Sequence, residues 1–444
     1  MSSTLAAGAG LDFTLAQQLT VIALCALTAY ISHMALAVFN DGVRPFLLDF
    51  IQGRTTRSAT TAVSFGLSAG FIFGLGAPMA LSTGVLNPWL VFLPTDILGM
   101  LAPKKWLAPI LGGAWGAVVV FGLNGANDVA HDLPVDFITA MQQMSTPILF
   151  LFTLFPVLAI TKQFGRKWGG VAGGLELALV VLTMKLWPKM FAGALAMAVG
   201  VLMLIALAVA KDMKQRKADK AAGVTGIVLD DDPMASLFSA SAARLRRHLP
   251  LFMVLGAGVC VLAQMHIFGG GEATSFLIAK GQYTEAAQVD FYRVFGFIPL
   301  IATTALASGA YGIAGFTLVY PIGYLMPNPF LAAIVGAVVF ALEVLALSSI
   351  GKVLGKLPSV RDSSEHLRSA IGDTLQLAIL FGSLMAANAM GGGLGILVVG
   401  GLYLLNDAMG RPVVRMAAAP AAVIVGGILL NVLYWLDLFT PIKG

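Results

Sequence analysis

The chain alternates long apolar runs with short polar connections, and fourteen of the runs are apolar enough to enter a bilayer. A membrane-spanning helix needs about 20 such residues, within a range of roughly 17–25. The pattern predicts helices near 15–39, 58–81, 85–103, 106–125, 138–161, 168–186 and 187–210. A second set lies near 249–268, 291–308, 310–326, 329–350, 371–390, 391–406 and 417–437. Those at 85–103, 291–308, 310–326 and 391–406 are short or interrupted by Gly and Pro, as half-helices and re-entrant segments are, so the expected count is 12–14. One long hydrophilic loop, 211–248, separates an N-terminal half, 1–210, from a C-terminal half, 249–444. It divides the runs seven and seven. Because seven is odd, the halves enter the membrane in opposite directions, the topology of an inverted repeat. The expected fold is all-α: a polytopic transmembrane helical bundle of two inverted halves with broken helices.

Composition agrees. Hydrophobic residues make up 58% of the chain and charged residues 11%, and mean hydropathy is +0.88. A soluble domain carries about 25% charged residues, so a soluble chain is excluded. The charges then orient the spans. With the N-terminus outside, the cytoplasmic loops hold Arg44, Arg54, Arg57, Lys104, Lys105, Lys162, Arg166 and Lys167, and eight Lys/Arg between Lys211 and Arg247. They also hold Lys352, Lys356, Arg361, Arg368, Arg411 and Arg415, leaving Lys185, Lys189, Lys280, Arg293 and Lys443 outside. Twenty-two against five is a clear positive-inside bias. The basic pI near 9.2 therefore reflects topology and anionic lipid headgroups, and calls for no nucleic-acid partner. The start of the chain has no positive n-region, so no cleaved signal peptide is expected. Cys25 and Cys260 fall within spans and read as packing residues.

Ionisable groups at membrane depth cost about 2.5–3.5 kcal/mol each on insertion scales, so each calls for a reason. Asp96 follows Pro94-Thr95 in a stretch where Pro88 and Pro94 interrupt the helix ladder. Glu343 sits near the middle of its span, Glu176 lies among Gly173, Gly174 and Leu175, and Asp373 opens a span. Asp96 and Glu343 are the candidate sites for a coupling ion; the bland alternative is a carboxyl bonded to a neighbouring helix. Irregular backbone at this depth survives only against protein or a water-filled cavity, which makes Thr95 and Asp96 candidate substrate contacts. In the second half, Pro299, Thr303, Thr304, Tyr311, Gly312 and Pro321 form a stretch rich in Gly, Pro and hydroxyls. Thr303, Thr304 and Tyr311 are the candidate contacts there, against a reading in which the small residues only allow close helix packing.

Two turns resemble each other: Asn40-Asp41-Gly42-Val43-Arg44-Pro45 and Asn406-Asp407-Ala408-Met409-Gly410-Arg411-Pro412. They are out of register between the halves. Each reads as a capped turn, or, with Asp41 paired to Arg411 or Asp407 to Arg44, as a cytoplasmic gate. The chain has no phosphate-binding Gly-x-x-x-x-Gly-Lys-Ser/Thr loop and no His-Glu-x-x-His, and its five histidines are scattered. Neither ATP hydrolysis nor a zinc site is expected, and no cofactor.

The strings Asp41-Gly42-Val43-Arg44-Pro45, Phe92-Leu93-Pro94-Thr95-Asp96-Ile97-Leu98-Gly99, Pro299-Leu300-Ile301-Ala302-Thr303-Thr304-Ala305-Leu306-Ala307 and Gly427-Ile428-Leu429-Leu430-Asn431-Val432-Leu433-Tyr434-Trp435-Leu436 resemble the YhfT family of bacterial inner-membrane proteins. The likeness covers nearly the whole chain and is weakest in the 211–248 loop. Members of that family are typically encoded beside pyridoxal-phosphate-type enzymes and a phosphotriesterase-like hydrolase. The resemblance implies uptake or export of a small amino or phosphorylated metabolite, and supplies no site residues.

Together these readings point to a secondary transporter of the bacterial inner membrane, working by alternating access with H+ or Na+ as coupling ion, and not to an enzyme. Its partners would be a small-molecule solute and the bilayer; a homodimer is compatible with such a fold. Two rivals stand beside it: a membrane-embedded enzyme acting on a lipid-linked substrate, and a membrane subunit of a larger complex docking through the 211–248 loop.

Overall fold

The computed structural model describes residues 11–40, 43, 49–50, 53–72, 76–187, 192–221, 242–291, 311–312, 318–355, 357–413 and 415–441. In the first half these form α1 (Leu15–His33), β1 (Ala37–Val38), α2 (Arg57–Phe71), α3 (Ala77–Thr83), α4 (Pro88–Val91), α5 (Leu93–Leu101) and α6 (Leu107–His131). There follow α7 (Phe137–Met141), a 3-10 turn (Gln142–Met144), α8 (Ser145–Phe152), α9 (Phe155–Phe164), α10 (Arg166–Leu186) and α11 (Ala192–Ala221). The second half adds α12 (Leu249–Gln264), α13 (Glu272–Ala279), α14 (283–291), β2 (Tyr311–Gly312), α15 (Val319–Tyr324), α16 (Pro329–Gly355), α17 (Pro358–Ala408) and α18 (Arg415–Trp435). The protein is an all-α polytopic bundle, and eight of its described helices are long and apolar enough to cross a membrane.

Where the sequence predicted unbroken spans, several are interrupted. The helix expected over 15–39 stops at His33, because Ala35 adopts a left-handed φ of 53°. The chain then runs extended through β1, which pairs in parallel with β2 in the register Ala37 to Tyr311 and Val38 to Gly312. The run at 249–268 likewise ends at Gln264, past which His266 takes a φ of 56°. Beyond it Phe268 forms a parallel bridge with Leu86, through Leu86 N–H to the Ile267 carbonyl (2.8 Å) and Gly269 N–H to the Leu86 carbonyl (2.9 Å). The runs at 85–103 and 310–326, expected to be short or interrupted, are so: the first is an extended segment followed by α4 and α5, and the second contains β2 and the short α15. Residues 272–291, expected to be loop, form α13 and α14. The run expected at 291–308 lies, from 292 on, outside the described residues.

Gly391-Gly392-Gly393 joins the runs predicted at 371–390 and 391–406 and reads in sequence as a tight hairpin, and Gly391 and Gly392 do make that reversal. Gly392 has a φ of 54°, and α17 folds back there into two arms. Gly400 and Leu384 would stand about 24 Å apart in a straight helix, yet a Cβ on Gly400 would lie 3.7 Å from the Leu384 side chain. On α11, helix continues past Lys211 to Ala221, and the buried Asp212 accepts the Ser359 N–H at 3.1 Å, fixing the start of α17.

Close packing depends on glycine at the contacts. Gly112 and Gly116 of α6 lie on α1 with no room for a side chain, a Cβ on Gly116 falling 2.8 Å from Ile22 Cα. Gly256 of α12 faces Phe340 and Gly336 of α16 in the same manner. Apolar residues fill the rest of the interior, including Phe92, Phe252, Phe268, Phe340 and Tyr320, all fully buried.

Two outcomes test this arrangement. Gly112→Val should cost about 1–3 kcal/mol or more by overpacking, seen as a lower melting temperature in detergent, whereas Gly170→Ala, which faces open space, should leave it unchanged or raise it. Cysteines placed singly at the exposed positions Asp128 and Lys214 should react with an impermeant maleimide from outside the cell and only after permeabilisation, respectively. The native Cys25 and Cys260 are buried and should stay silent. Labelling of position 214 in intact cells would invert the topology.

Candidate functional site at the strand crossing

Asp96 sits in the first turn of α5, just after the chain bends at Phe92 (φ −101°, ψ −33°). Pro94 fits that first turn because its missing N–H falls where a helix has no partner to offer. The Thr95 hydroxyl donates to the Phe92 carbonyl at 2.7 Å, closing the bend. Thr95 and Asp96 are both completely buried. Asp96 Oδ1 accepts the Ser32 hydroxyl at 2.6 Å, and Oδ2 accepts the N–H groups of Phe39 (2.7 Å) and Asn40 (3.1 Å). One carboxylate therefore ties together the end of α1, the far end of β1 and the start of α5. Both oxygens act as acceptors, the arrangement that suits an ionised carboxylate, and the positive end of α5 faces it.

The second half reaches the same place through its backbone. Tyr311 pairs with Ala37, two residues before Phe39. Leu86 and Phe268 make the other crossing, and a file of buried rings joins the two: Phe39 to Phe92 at 4.4 Å between centroids, Phe92 to Phe268 at 5.3 Å, and Phe268 to Tyr320 at 5.7 Å. Beyond Phe268, the Gly270 N–H donates to the Tyr324 hydroxyl at 2.7 Å, which in turn donates to Asp290 Oδ2 at 2.7 Å. His266 Nε2 donates to the Tyr324 carbonyl (3.1 Å), and its ring stacks on Tyr283 at 3.6 Å. Asp290 and Tyr324 escaped the sequence reading. Asp290 precedes the run predicted at 291–308 and Tyr324 falls within the one at 310–326, but no motif marks either residue.

The other candidates are dispersed. Thr303, Thr304, Asp41 and Arg44 lie outside the described residues. Glu343 of α16 accepts the Leu318 N–H at 2.8 Å and so caps α15. Asp407 is held within its own turn by Arg411 Nε (2.6 Å) and Arg415 Nη2 (3.0 Å), while Asn406 closes that turn through both the N–H and the carbonyl of Val413. Asp373 pairs with Lys162 of α9. Glu176 of α10 is buried, and among the described residues neither carboxyl oxygen has a hydrogen-bond partner; it faces Gly200 of α11. Among the described residues no group of three or more His, Cys, Asp or Glu is placed to hold a metal.

Two buried acids thus stand in opposite situations, and substitution separates them. Asp96→Ala takes the acceptor from two backbone amides, the buried one of Phe39 and the half-buried one of Asn40, at a cost of about 1–3 kcal/mol each, so the melting temperature in detergent should fall steeply. Removing an isolated acid is favourable when its carboxyl has no partner, and Glu176→Leu should leave stability unchanged or raise it. A stable Asp96→Ala variant would show that the carboxylate does not hold the crossing together.

A search of solved structures gives no match. A family model described as YhfT, a protein of unknown function, matches residues 17–439. The chain is 40% identical over 437 residues to the protein "Uncharacterized protein YhfT" of Escherichia coli strain K12, covering 96% of this chain and 99% of that one. A match this long, running through the Asp96 segment and both strand crossings, makes this multi-pass membrane protein a member of the YhfT family.

Proposed function

We propose that the protein is a secondary transporter that moves a small polar metabolite, amino-acid-like or phosphorylated, across the bacterial inner membrane by alternating access. The observation that carries this reading is the crossing itself. Extended backbone from both halves meets in the interior of an apolar helical protein, beside a fully buried carboxylate. Broken segments of this kind commonly supply the polar contacts and the moving parts of carriers. A solute would bind beside β1, β2 and Asp96, its polar groups exchanging with backbone amides.

Asp96 and Ser32 support a proton as the coupling ion. The Ser32 hydroxyl lies 2.6 Å from Asp96 Oδ1 and 3.3 Å from the Ala37 carbonyl. With Asp96 ionised, Ser32 donates to the carboxylate. With Asp96 protonated at Oδ1, the carboxyl donates to Ser32 Oγ and the hydroxyl hydrogen turns to Ala37. Ala37 belongs to β1 and is paired with Tyr311, so the proton's arrival is felt at the contact between the halves. Na+ fits less well, because amide donors already occupy Oδ2. The chemistry of a carrier needs no catalytic residue, so this reading makes the protein no enzyme.

A thermal-shift screen of amino acids, dipeptides and phosphorylated metabolites on the purified protein should identify the solute. In proteoliposomes with an imposed pH gradient, the wild type should then accumulate it. Asp96→Asn should lose accumulation and keep solute exchange, and Ser32→Ala should weaken the response to the gradient. Wild-type accumulation by Asp96→Asn would remove Asp96 from the coupling step.

A further inference from the structure

The second half repeats local contacts of the first. Gly112 of α6 lies on the Cys25 carbonyl and the Ala29 side chain of α1; Gly336 of α16 lies on the Gly256 carbonyl and the Cys260 side chain of α12. Gly99 of α5 meets the backbone of Ala29, and Gly323 of α15 meets that of Cys260. Left-handed Ala35 ends α1, and left-handed His266 ends α12. Matched residues of α1 and α12 are 231 positions apart (256 less 25, 260 less 29, 266 less 35). In the helices packed on them the interval is 224 (336 less 112, 323 less 99). The strand pairings obey the same exchange. Ala37, after α1, pairs with Tyr311, before α15; Phe268, after α12, pairs with Leu86, before α5.

We infer that the two halves are copies of one unit, and that the Tyr324–Asp290 pair, from other positions of the repeat, does for the second strand end what Asp96 does for the first, with Asp290 a second carboxylate that binds a proton during transport. The inference deepens the carrier reading and rests on it. Phe39 and Gly270 are themselves 231 apart (270 less 39), and each offers its N–H just past a strand crossing. In the first half that N–H ends on Asp96 directly. In the second it ends on the Tyr324 hydroxyl, which hands its own hydrogen to Asp290. Asp290, like Asp96, is completely buried. Protonating Asp290 at Oδ2 reverses the bond to Tyr324: the carboxyl donates, the phenol accepts, and the phenol hydrogen must find another acceptor. The strand end at Gly270 is thus linked to the charge on Asp290, as β1 is to the charge on Asp96. Among the described residues, the ionisable groups adjoining Tyr324 and its partners include His266, on the Tyr324 carbonyl, and Tyr283, stacked on His266.

Infrared difference spectra of the full-length protein in detergent, recorded between high and low pH, test this without any solute. A buried carboxyl that takes up a proton gives a C=O stretching band. Asp290→Asn should delete one such band and leave the Asp96-dependent band in place. Tyr324→Phe, which keeps the carboxyl but removes the hydrogen bond from Tyr324, should shift that band to higher frequency and covers the case in which Asp290→Asn does not fold. Cysteine pairs at 37/311 and at 86/268 should each cross-link. Spectra unchanged in Asp290→Asn and Tyr324→Phe would overturn the second proton site while leaving the Asp96 reading intact, and failure of either cross-link would overturn the repeat.

Discussion

Everything distinctive in this fold follows from one constraint: inside a bilayer, a backbone N–H or C=O that leaves a helix must find a partner within the protein. Among the described residues the chain leaves helical geometry at Ala35 and past His266, and it is extended at Leu86 and at Tyr311. Each departure is answered. Extended segments pair with extended segments from the other half, Asp96 takes the two amides left over after β1, and Tyr324 takes the one left over at Gly270. Carboxylate and phenol are therefore in place first as acceptors for backbone. Their capacity to respond to a proton or a solute follows from that placement.

Glycine makes the geometry attainable. Lipid tails are as apolar as leucine, so helices in a bilayer gain from close van der Waals approach more than from leaving the solvent. Gly99, Gly112 and Gly116 bring α5 and α6 onto α1, and Gly256, Gly323 and Gly336 do the same around α12. Only with the helices this close do the ends of α1 and α12 lie near enough to the following segments for two-residue strands to suffice.

Acid residues in this chain show how little residue type alone decides. Among the described residues, three donors bind Asp96, Glu343 caps a helix, Asp407 and Asp373 pair with basic side chains, and Glu176 has no hydrogen-bond partner. In sequence all five are charges in or beside apolar runs, and their neighbours along the chain set apart only Asp96, by its prolines, and Asp407, by its turn. What separates them is which backbone amides or cations the neighbouring elements happen to present.

Hydropathy and charge alone determined that this is a helical membrane protein, where most of its long helices lie, and that Gly391 and Gly392 reverse the chain, because those properties depend on the composition of each segment. The Pro-bracketed setting of Asp96 was legible for the same reason: proline acts on its own helix. Tertiary structure decided the rest. That Ala37 lies beside Tyr311, that Leu86 lies beside Phe268, and that Asp290 meets Tyr324 depend on contacts between residues 274, 182 and 34 positions apart. A periodicity reports the environment of one segment, whereas the partner of a freed amide is chosen only when the two halves pack.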